Sequence, residues 1–434
     1  MIAINNIVLP FLMVLLCSCS TSNNISPNLL DDSLEETPVA YANRQQRSTK
    51  RGVAFNHIDA SELKVIESGV GWLYNWGSQY SPDLEEAITA ADIDYVPMAW
   101  NGSFNTDHIR AYKALHPKAQ YILAFNEPNL TDQANMTPAQ AAQQWPALKS
   151  VAQELDLSIV APAMNWGTLT NYSDPIVWLD EFFTLVPISD VAAIAVHCYM
   201  NYPSAVKWHI ERFRKYGKPV WVTEFCAWEG NNLTVEAQRA YMCNVVNYFE
   251  NDPLIERYAW FMFDGTPAQY PYYALSSGGQ PTDLGTIYLN LSSQDTDLWY
   301  RVGEVVPAPH YCRTNQCNVV GTERWEDGVV LKVCSDYSGT LEVSNFSAPK
   351  WLEYQIEVAE TATYSLAIRY AATSLAYCTV KLNNRILKTA ILLGSGTPAK
   401  WMTHTGTINL PSGQHTLRFE MDTGEIAMNW WKIE

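Results

Sequence analysis

Positive charge is scarce in these 434 residues: 28 lysines and arginines stand against 45 aspartates and glutamates, a formal charge of −17. Nucleic acids and polyanionic polysaccharides both require a basic footprint, so the balance excludes them and leaves a neutral glycan as the compatible partner. No Cys/His spacing looks like a zinc site, and no internal repeat is evident. Cysteine is present but uneven. Apart from Cys17 and Cys19 seven remain, an odd number that leaves at least one thiol free or paired between chains. Cys312 and Cys317 are close enough to close a small loop in an oxidising compartment. Aromatic residues, in contrast, are abundant. The 16 Trp and 24 Tyr exceed what a core needs and suit stacking on sugar rings.

The N-terminal apolar stretch, Ile7 to Leu16, is too short to cross a bilayer and reads as the core of a signal peptide, although no Lys or Arg precedes it. It runs into Leu16-Cys17-Ser18-Cys19-Ser20, which resembles the bacterial lipoprotein processing box with Cys19 as the lipidated residue. Residues 20–50 are polar and Ser/Asn/Glu-rich, as a tether would be. The expected order is therefore a signal peptide over 1–19, a tether over 20–50, a catalytic domain over 51–304 and a second domain over 305–434. The protein is expected to be exported, held at the bacterial cell envelope, in the outer membrane or at the cell surface, by a lipid alone, and monomeric.

Two carboxylates dominate the middle of the chain. Glu127, in Phe125-Asn126-Glu127-Pro128, and Glu224, in Val222-Thr223-Glu224-Phe225, each end a short apolar run. A Glu at a strand end is most often solvated or salt-bridged. Here the neighbours are Asn, Pro and aromatic residues rather than Lys or Arg, and the runs are apolar enough to be buried strands. Two carboxylates at strand tips facing one cleft are what glycosidic cleavage requires, one to protonate the leaving oxygen and one to attack or to activate water. In that division the acid should have a raised pKa and the other carboxylate should stay ionised.

Eight apolar runs recur between residues 51 and 300: 52–55, 70–75, 94–100, 120–126, 157–162, 191–197, 219–224 and 258–263. Amphipathic stretches such as 138–155 and 235–249 separate them. This alternation predicts an α/β fold, a (β/α)8 TIM-type barrel, with Glu127 after the fourth strand and Glu224 after the seventh. Beyond Val305-Val306-Pro307 the texture changes to alternating segments with Gly/Asn/Ser turns, which predicts an all-β sandwich of jelly-roll type.

Residues 50–290 resemble glycoside hydrolase family 128, a clan A family of β-1,3-glucanases. The resemblance lies in Arg51-Gly52-Val53-Ala54-Phe55-Asn56, Trp72-Leu73-Tyr74-Asn75-Trp76-Gly77, Val96-Pro97-Met98-Ala99-Trp100, Phe125-Asn126-Glu127-Pro128, Ala195-Val196-His197-Cys198-Tyr199 and Pro219-Val220-Trp221-Val222-Thr223-Glu224. It implies Glu127 as acid/base and Glu224 as nucleophile of a retaining double displacement, with Asn126 bonding the sugar 2-hydroxyl and no catalytic cofactor or metal. His197 and Tyr199 end the sixth strand and could orient the nucleophile. Trp76, Trp100, Trp166, Trp228 and Trp260 lie at or past strand tips and are candidates for sugar stacking, about half of them expected to be core instead; the Asn75-Trp76-Gly77 turn is the best subsite candidate.

Residues 320–434 resemble carbohydrate-binding module family 6, through Trp351-Leu352-Glu353-Tyr354, Tyr364-Ser365-Leu366-Ala367-Ile368-Arg369-Tyr370, Leu410-Pro411-Ser412-Gly413-Gln414-His415 and Asn429-Trp430-Trp431. That resemblance implies Trp401 as the stacking platform and Asn429 as a polar glycan contact, while Ala427 stands where the family usually has a second Asn. The structural calcium common in that family has no placed ligands here. The expected function is hydrolysis of β-1,3-glucan; the alternatives are another clan A activity on a neutral β-glycan and a catalytically silent, glycan-binding surface lipoprotein. Asn129-Leu130-Thr131 also matches a glycosylation sequon, expected to be incidental because a glycan there would obstruct the cleft.

Overall fold

The computed structural model describes residues 47–228, 233–265, 272–315, 328–337 and 339–434. Cys19, the signal peptide, Cys317 and nearly all of the expected tether lie outside them. The first domain alternates strands β1 (Ser48–Ala54), β2 (Val70–Tyr74), β3 (Asp94–Tyr95), β4 (Tyr121–Leu123), β5 (Ser158–Val160), β6 (Ile194–Cys198), β7 (Val220–Phe225) and β8 (Ile255–Trp260) with helices. The helices are α1 (Ala60–Ile66), α2 (Glu85–Ala91), α3 (Thr106–Leu115), α4 (Pro138–Glu154), α5 (Pro175–Leu185), α6 (Pro203–Glu211), α7 (Val235–Asn251) and α8 (Asp283–Asn290). All strand pairings are parallel, in the order β3-β2-β1-β8-β7-β6 with β4-β5 as a separate pair. Single parallel bridges join Met98 to Leu123 and Val160 to Ala193.

Local chemistry explains the helix starts. Thr137 and Gln140 form a reciprocal capping box before α4, with Pro138 at the first turn where its missing N–H costs nothing. Asp59 and Glu62 do the same for α1. Inward-facing residues from all eight runs, among them Ala54, Trp72, Met98, Leu123, Val160, Ala195, Trp221 and Ala259, make an inner cluster distinct from the apolar layer under the helices. Gly52 makes room for it: a Cβ there would stand 2.4 Å from the Trp72 indole. Arg51, fully buried, ties β1 to its surroundings through Glu250, Tyr258 and the carbonyls of Tyr288 and Ser292.

The second domain is rich in β-sheet, and nearly all its pairings are antiparallel. After the small hairpin β9 (Ser276–Ser277) and β10 (Gln280–Pro281) come β11 (Trp299–Arg301), β12 (Val305–Pro307), β13 (Arg313–Thr314), β14 (Leu331–Val333), β15 (Leu341–Ser347), β16 (Trp351–Val358) and β17 (Ala362–Ala371). They are followed by β18 (Ala376–Leu382), β19 (Arg385–Leu392), β20 (Trp401–Leu410), β21 (Gly413–Thr423) and β22 (Glu425–Ile433). One sheet runs β11-β16-β21-β18-β19 and the other β14-β15-β22-β17-β20. Buried Trp431 lies among Tyr300, Tyr354 and Phe419. The expected boundary at 304/305 falls between β11 and β12, both of which pair with strands of these sheets. The domains are closely joined: β14 packs on α7 and α8, the Tyr311 hydroxyl donates to Asn247 Oδ1 at 2.9 Å, and the Leu331 N–H faces Cys243 Sγ at 3.4 Å.

Candidate active site

The strand tips converge on an open cleft of about 620 Å³ lined by Asn56, Trp76, Trp100, Asn126, Glu127, Asp132, Gln133, Asn165, Tyr199, Glu224, Trp228 and Phe261. Both carboxylates thus meet in one place. Glu127 sits just past β4 with φ of 45°, its N–H donating to the Ala163 carbonyl. A non-glycine residue in that region costs about 1–3 kcal/mol and persists where the surroundings over-determine it.

Glu224 reaches the cleft because β7 carries a bulge. Trp221 belongs to the inner cluster, so strict alternation would turn Thr223 inward and Glu224 out. Against β6, however, Val222 pairs with Val196 and Glu224 with His197, leaving Thr223 as the extra residue; the register against β8 shifts in the same stretch. The insertion re-aims the carboxylate, as bulges beside active sites do.

Around Glu224 three donors gather. Trp76 Nε1 donates to Oε1 at 2.7 Å, the Tyr199 hydroxyl donates to Oε2, and the Tyr74 hydroxyl lies 3.2 Å from Oε1. Trp76 is held for this by a φ of 59°. Asn165 Nδ2 donates to Glu127 Oε1 at 2.8 Å. His197, fully buried, joins the two: its Nδ1 is 2.6 Å from Glu127 Oε1 and 3.2 Å from Glu224 Oε2. These three side chains are also the one trio of potential metal ligands among the described residues, their donor atoms lying within 4.8 Å of one another. Those donor atoms are engaged with one another, His197 Nδ1 lying in contact with both carboxylates.

Burial pushes both carboxyl groups up. At Glu127 the His197 imidazolium and Asn165 outweigh burial and hold the group below its ordinary value. Glu224 stays above its ordinary value because burial, with Glu127 alongside, outweighs His197, Tyr199 and Trp76. Burial opposes charge on His197, but the two carboxylates overcome it and raise its pKa. The sequence reading expects the reverse order, a raised Glu127 and an ionised Glu224. The difference arises because Glu224 is the more deeply buried and has the Glu127 charge against it, whereas Glu127 holds hydrogen bonds from His197 and Asn165. Three such groups titrate as one system, sharing their protons through the His197 imidazole.

Trp76, Trp100, Asn126, Tyr199 and Trp228 line the cleft as expected. Asn126 Oδ1 is buried and has no hydrogen-bond partner among the described residues, while its Nδ2 donates to Gln133 Oε1 at 3.2 Å. Asn75 does not line the cleft; it braces the turn that carries Trp76, through Gln79, Gly77 and Tyr95. Trp260 is a correction: it is 0% exposed, packs on Phe225 and Tyr288, and donates to the Tyr273 carbonyl, while Phe261 faces the cleft instead. Ala259 belongs to the inner cluster, so alternation turns Trp260 outward towards the helices. Trp166 lies outside the cleft lining. Residues that sequence reasoning missed are Asn165, Tyr74, Phe261, Asn56, Asp132 and Gln133. Tyr74 was signalled by the aromatic spacing Trp72, Tyr74, Trp76, which puts three rings on one strand face. Asn129 is fully buried and donates to the carbonyls of Asn165 and Tyr172, so its side chain holds the loop that carries Asn165.

In the second domain Trp401 is partly exposed and donates from Nε1 to Ser335 Oγ. Asn429 is a second correction: it is 1% exposed and donates to Asp336, whose carboxylate also receives Arg369. Gly339 presses on it so closely that a Cβ would stand 2.6 Å from Asn429 Oδ1. The segment around Asp336 thus occupies the side chain expected to contact glycan.

A family model described as glycosyl hydrolase catalytic core matches residues 52–288, and one described as carbohydrate binding module (family 6) matches residues 322–434. A crystal structure of a family 128, subgroup II endo-β-1,3-glucanase from Pseudomonas viridiflava is 36% identical, covers 56% of this chain and 98% of its own, and superposes with a TM-score of 0.53. Alkali-sensitive linkage protein 1 of Schizosaccharomyces pombe is 26% identical over 259 residues; the match takes in 56% of this chain and spans 45% of the length of that relative. With its catalytic-core match spanning over half the chain, the protein belongs to glycoside hydrolase family 128 and is a glycoside hydrolase with a family 6 carbohydrate-binding module.

Proposed function

We propose that this chain hydrolyses β-1,3-glucan with retention at the anomeric carbon, on a (β/α)8 barrel closed by its single-residue bridges. The inner cluster drawn from all eight runs supports closure. The observation that carries the mechanism is the pairing of Glu127 and Glu224 across His197, with carboxylate oxygens within 4.8 Å. Retaining pairs stand about 5–5.5 Å apart, whereas inverting pairs need roughly 6.5–9.5 Å to admit water.

In this reading a sugar entering the cleft expels water, and desolvation favours passing a proton from His197 to Glu127, neutralising that pair. Glu127 then gives the proton to the glycosidic oxygen as its bond to C1 breaks, and Glu224 forms the new bond to C1 from the opposite face. A water molecule next yields its proton to Glu127, attacks C1 and releases Glu224. The donors from Trp76, Tyr199 and Tyr74 keep Glu224 an oxygen nucleophile, and Asn126, beside Glu127, is the residue that the family resemblance assigns to the sugar 2-hydroxyl. Trp76, Trp100, Trp228 and Phe261 supply apolar faces for the ring.

The β-1,3-glucan choice rests on the Pseudomonas viridiflava relative, which is such an endo-glucanase. Export and lipidation at Cys19 remain part of the proposal. The test is a panel of laminarin, cellulose, mannan and mixed-linkage glucan with full-length protein; release of sugar from cellulose or mannan but not laminarin refutes the substrate assignment.

A further inference from the structure

Two indoles stand in water on the outer face of the catalytic domain. Trp166, on the loop after β5, is 43% exposed, and Trp208, on α6, is 58% exposed. Their rings are parallel to within 9°, with centroids 6.4 Å apart. Arg212 lies against both, its Cζ 5.2 Å from one ring centroid and 5.3 Å from the other. That cation is already matched, since Nη2 donates to both oxygens of Asp174 at 2.7 and 2.6 Å. His209 beside them is pushed down to about 4 by burial and by Arg212, and so is neutral.

Such a surface holds two rings in fixed orientation and offers no free charge. Both features suit a neutral, polyhydroxylated chain and not an anion. The surface is tied to the active site through one loop residue. Asn165, which lines the cleft and donates to Glu127, immediately precedes Trp166, whose own N–H bonds to Asn165 Oδ1 at 2.8 Å. An acid stands beside the oxygen it protonates, so the chain beyond that oxygen leaves the cleft near Glu127 and Asn165.

We propose that Trp166 and Trp208 form a second glycan-binding platform, which holds a neutral β-linked glucan chain continuing out of the cleft on the leaving-group side. This rests on the glucanase reading above. It adds a length dependence: polymers that reach the platform gain contacts that a tetrasaccharide lacks.

The test compares full-length wild type with Trp208→Ala and Trp208→Tyr, each first shown by thermal melting to be folded. The readouts are the ratio of KM for a β-1,3-linked tetrasaccharide to KM for soluble β-1,3-glucan, and retardation in gels containing that glucan. Loss of one stacking ring should lower the KM ratio about 2- to 10-fold and reduce retardation in Trp208→Ala, with most of both kept by Trp208→Tyr. An active wild type with an unchanged ratio and unchanged retardation in Trp208→Ala overturns the platform. A wild type that is retarded through Trp208 but cleaves no glucan sinks the proposed activity and leaves the platform standing. Neither cleavage nor retardation refutes both, and a concentration-dependent dimer lost in Trp208→Ala would assign the rings to self-association instead.

Discussion

Nδ1 of His197 lies 2.6 Å from Oε1 of Glu127, in a site where that imidazole is fully buried and also touches Glu224 at 3.2 Å. One base thus bridges the two groups whose protonation must differ in the proposed double displacement. The contact makes the pH dependence of this enzyme a property of three residues.

His197→Gln should narrow the pH profile of kcat/KM. With the cation gone, both carboxyls lose a lowering influence, so the acidic limb, where a second proton enters the site, moves to higher pH. The last proton then rests on a carboxyl and not on an imidazole raised by its neighbours, so the alkaline limb moves to lower pH. An unchanged profile in a folded variant would show that His197 takes no part in the titration.

Glu127→Gln and Glu224→Gln should each lose about 10³-fold or more in kcat, because the amide neither donates a strong acid proton nor attacks. Circular dichroism should stay that of the wild type. Wild-type turnover in either variant removes that residue from the mechanism.

Trp76→Phe separates ring from donor. It keeps an aromatic face but removes the 2.7 Å bond to Glu224, a charge-assisted contact whose loss should cost about 1.5–3 kcal/mol, roughly 10- to 100-fold in kcat. If KM alone changes, the indole serves stacking and not the nucleophile.

Arg51→Met should destabilise the fold by about 3–5 kcal/mol without altering cleft chemistry, since it strands the buried Glu250 carboxylate. Denaturant titration reads this directly. A loss below about 1 kcal/mol would mean that Tyr258 and Ser48, which also donate to Glu250, suffice for it.

Alternation and spacing exposed the eight strands and the place of both glutamates at strand ends, because apolar runs and lone carboxylates are local signals. Parity errors account for much of the rest. Trp260 points away from the cleft because its neighbour Ala259 points in, and Glu224 points in only through an extra residue at Thr223 that a simple alternation does not reveal. Asn165 was hidden because its role is set by Asn129, 36 residues away along the chain. Asn429 was misjudged because the segment that covers it, around Asp336, is distant in sequence. The second domain, read from sequence as separable, shares buried contacts with α7 and α8 through Tyr311 and Leu331, so cutting the chain near 305 would expose that face.

The most direct measurement of the central claim is proton NMR of the anomeric signals during the first minutes of laminarin hydrolysis by the full-length protein. Double displacement through Glu224 predicts that the β-anomer of the new reducing end forms first and then mutarotates. Initial appearance of the α-anomer would contradict the account, since it requires direct attack by water and leaves Glu224 no role as nucleophile.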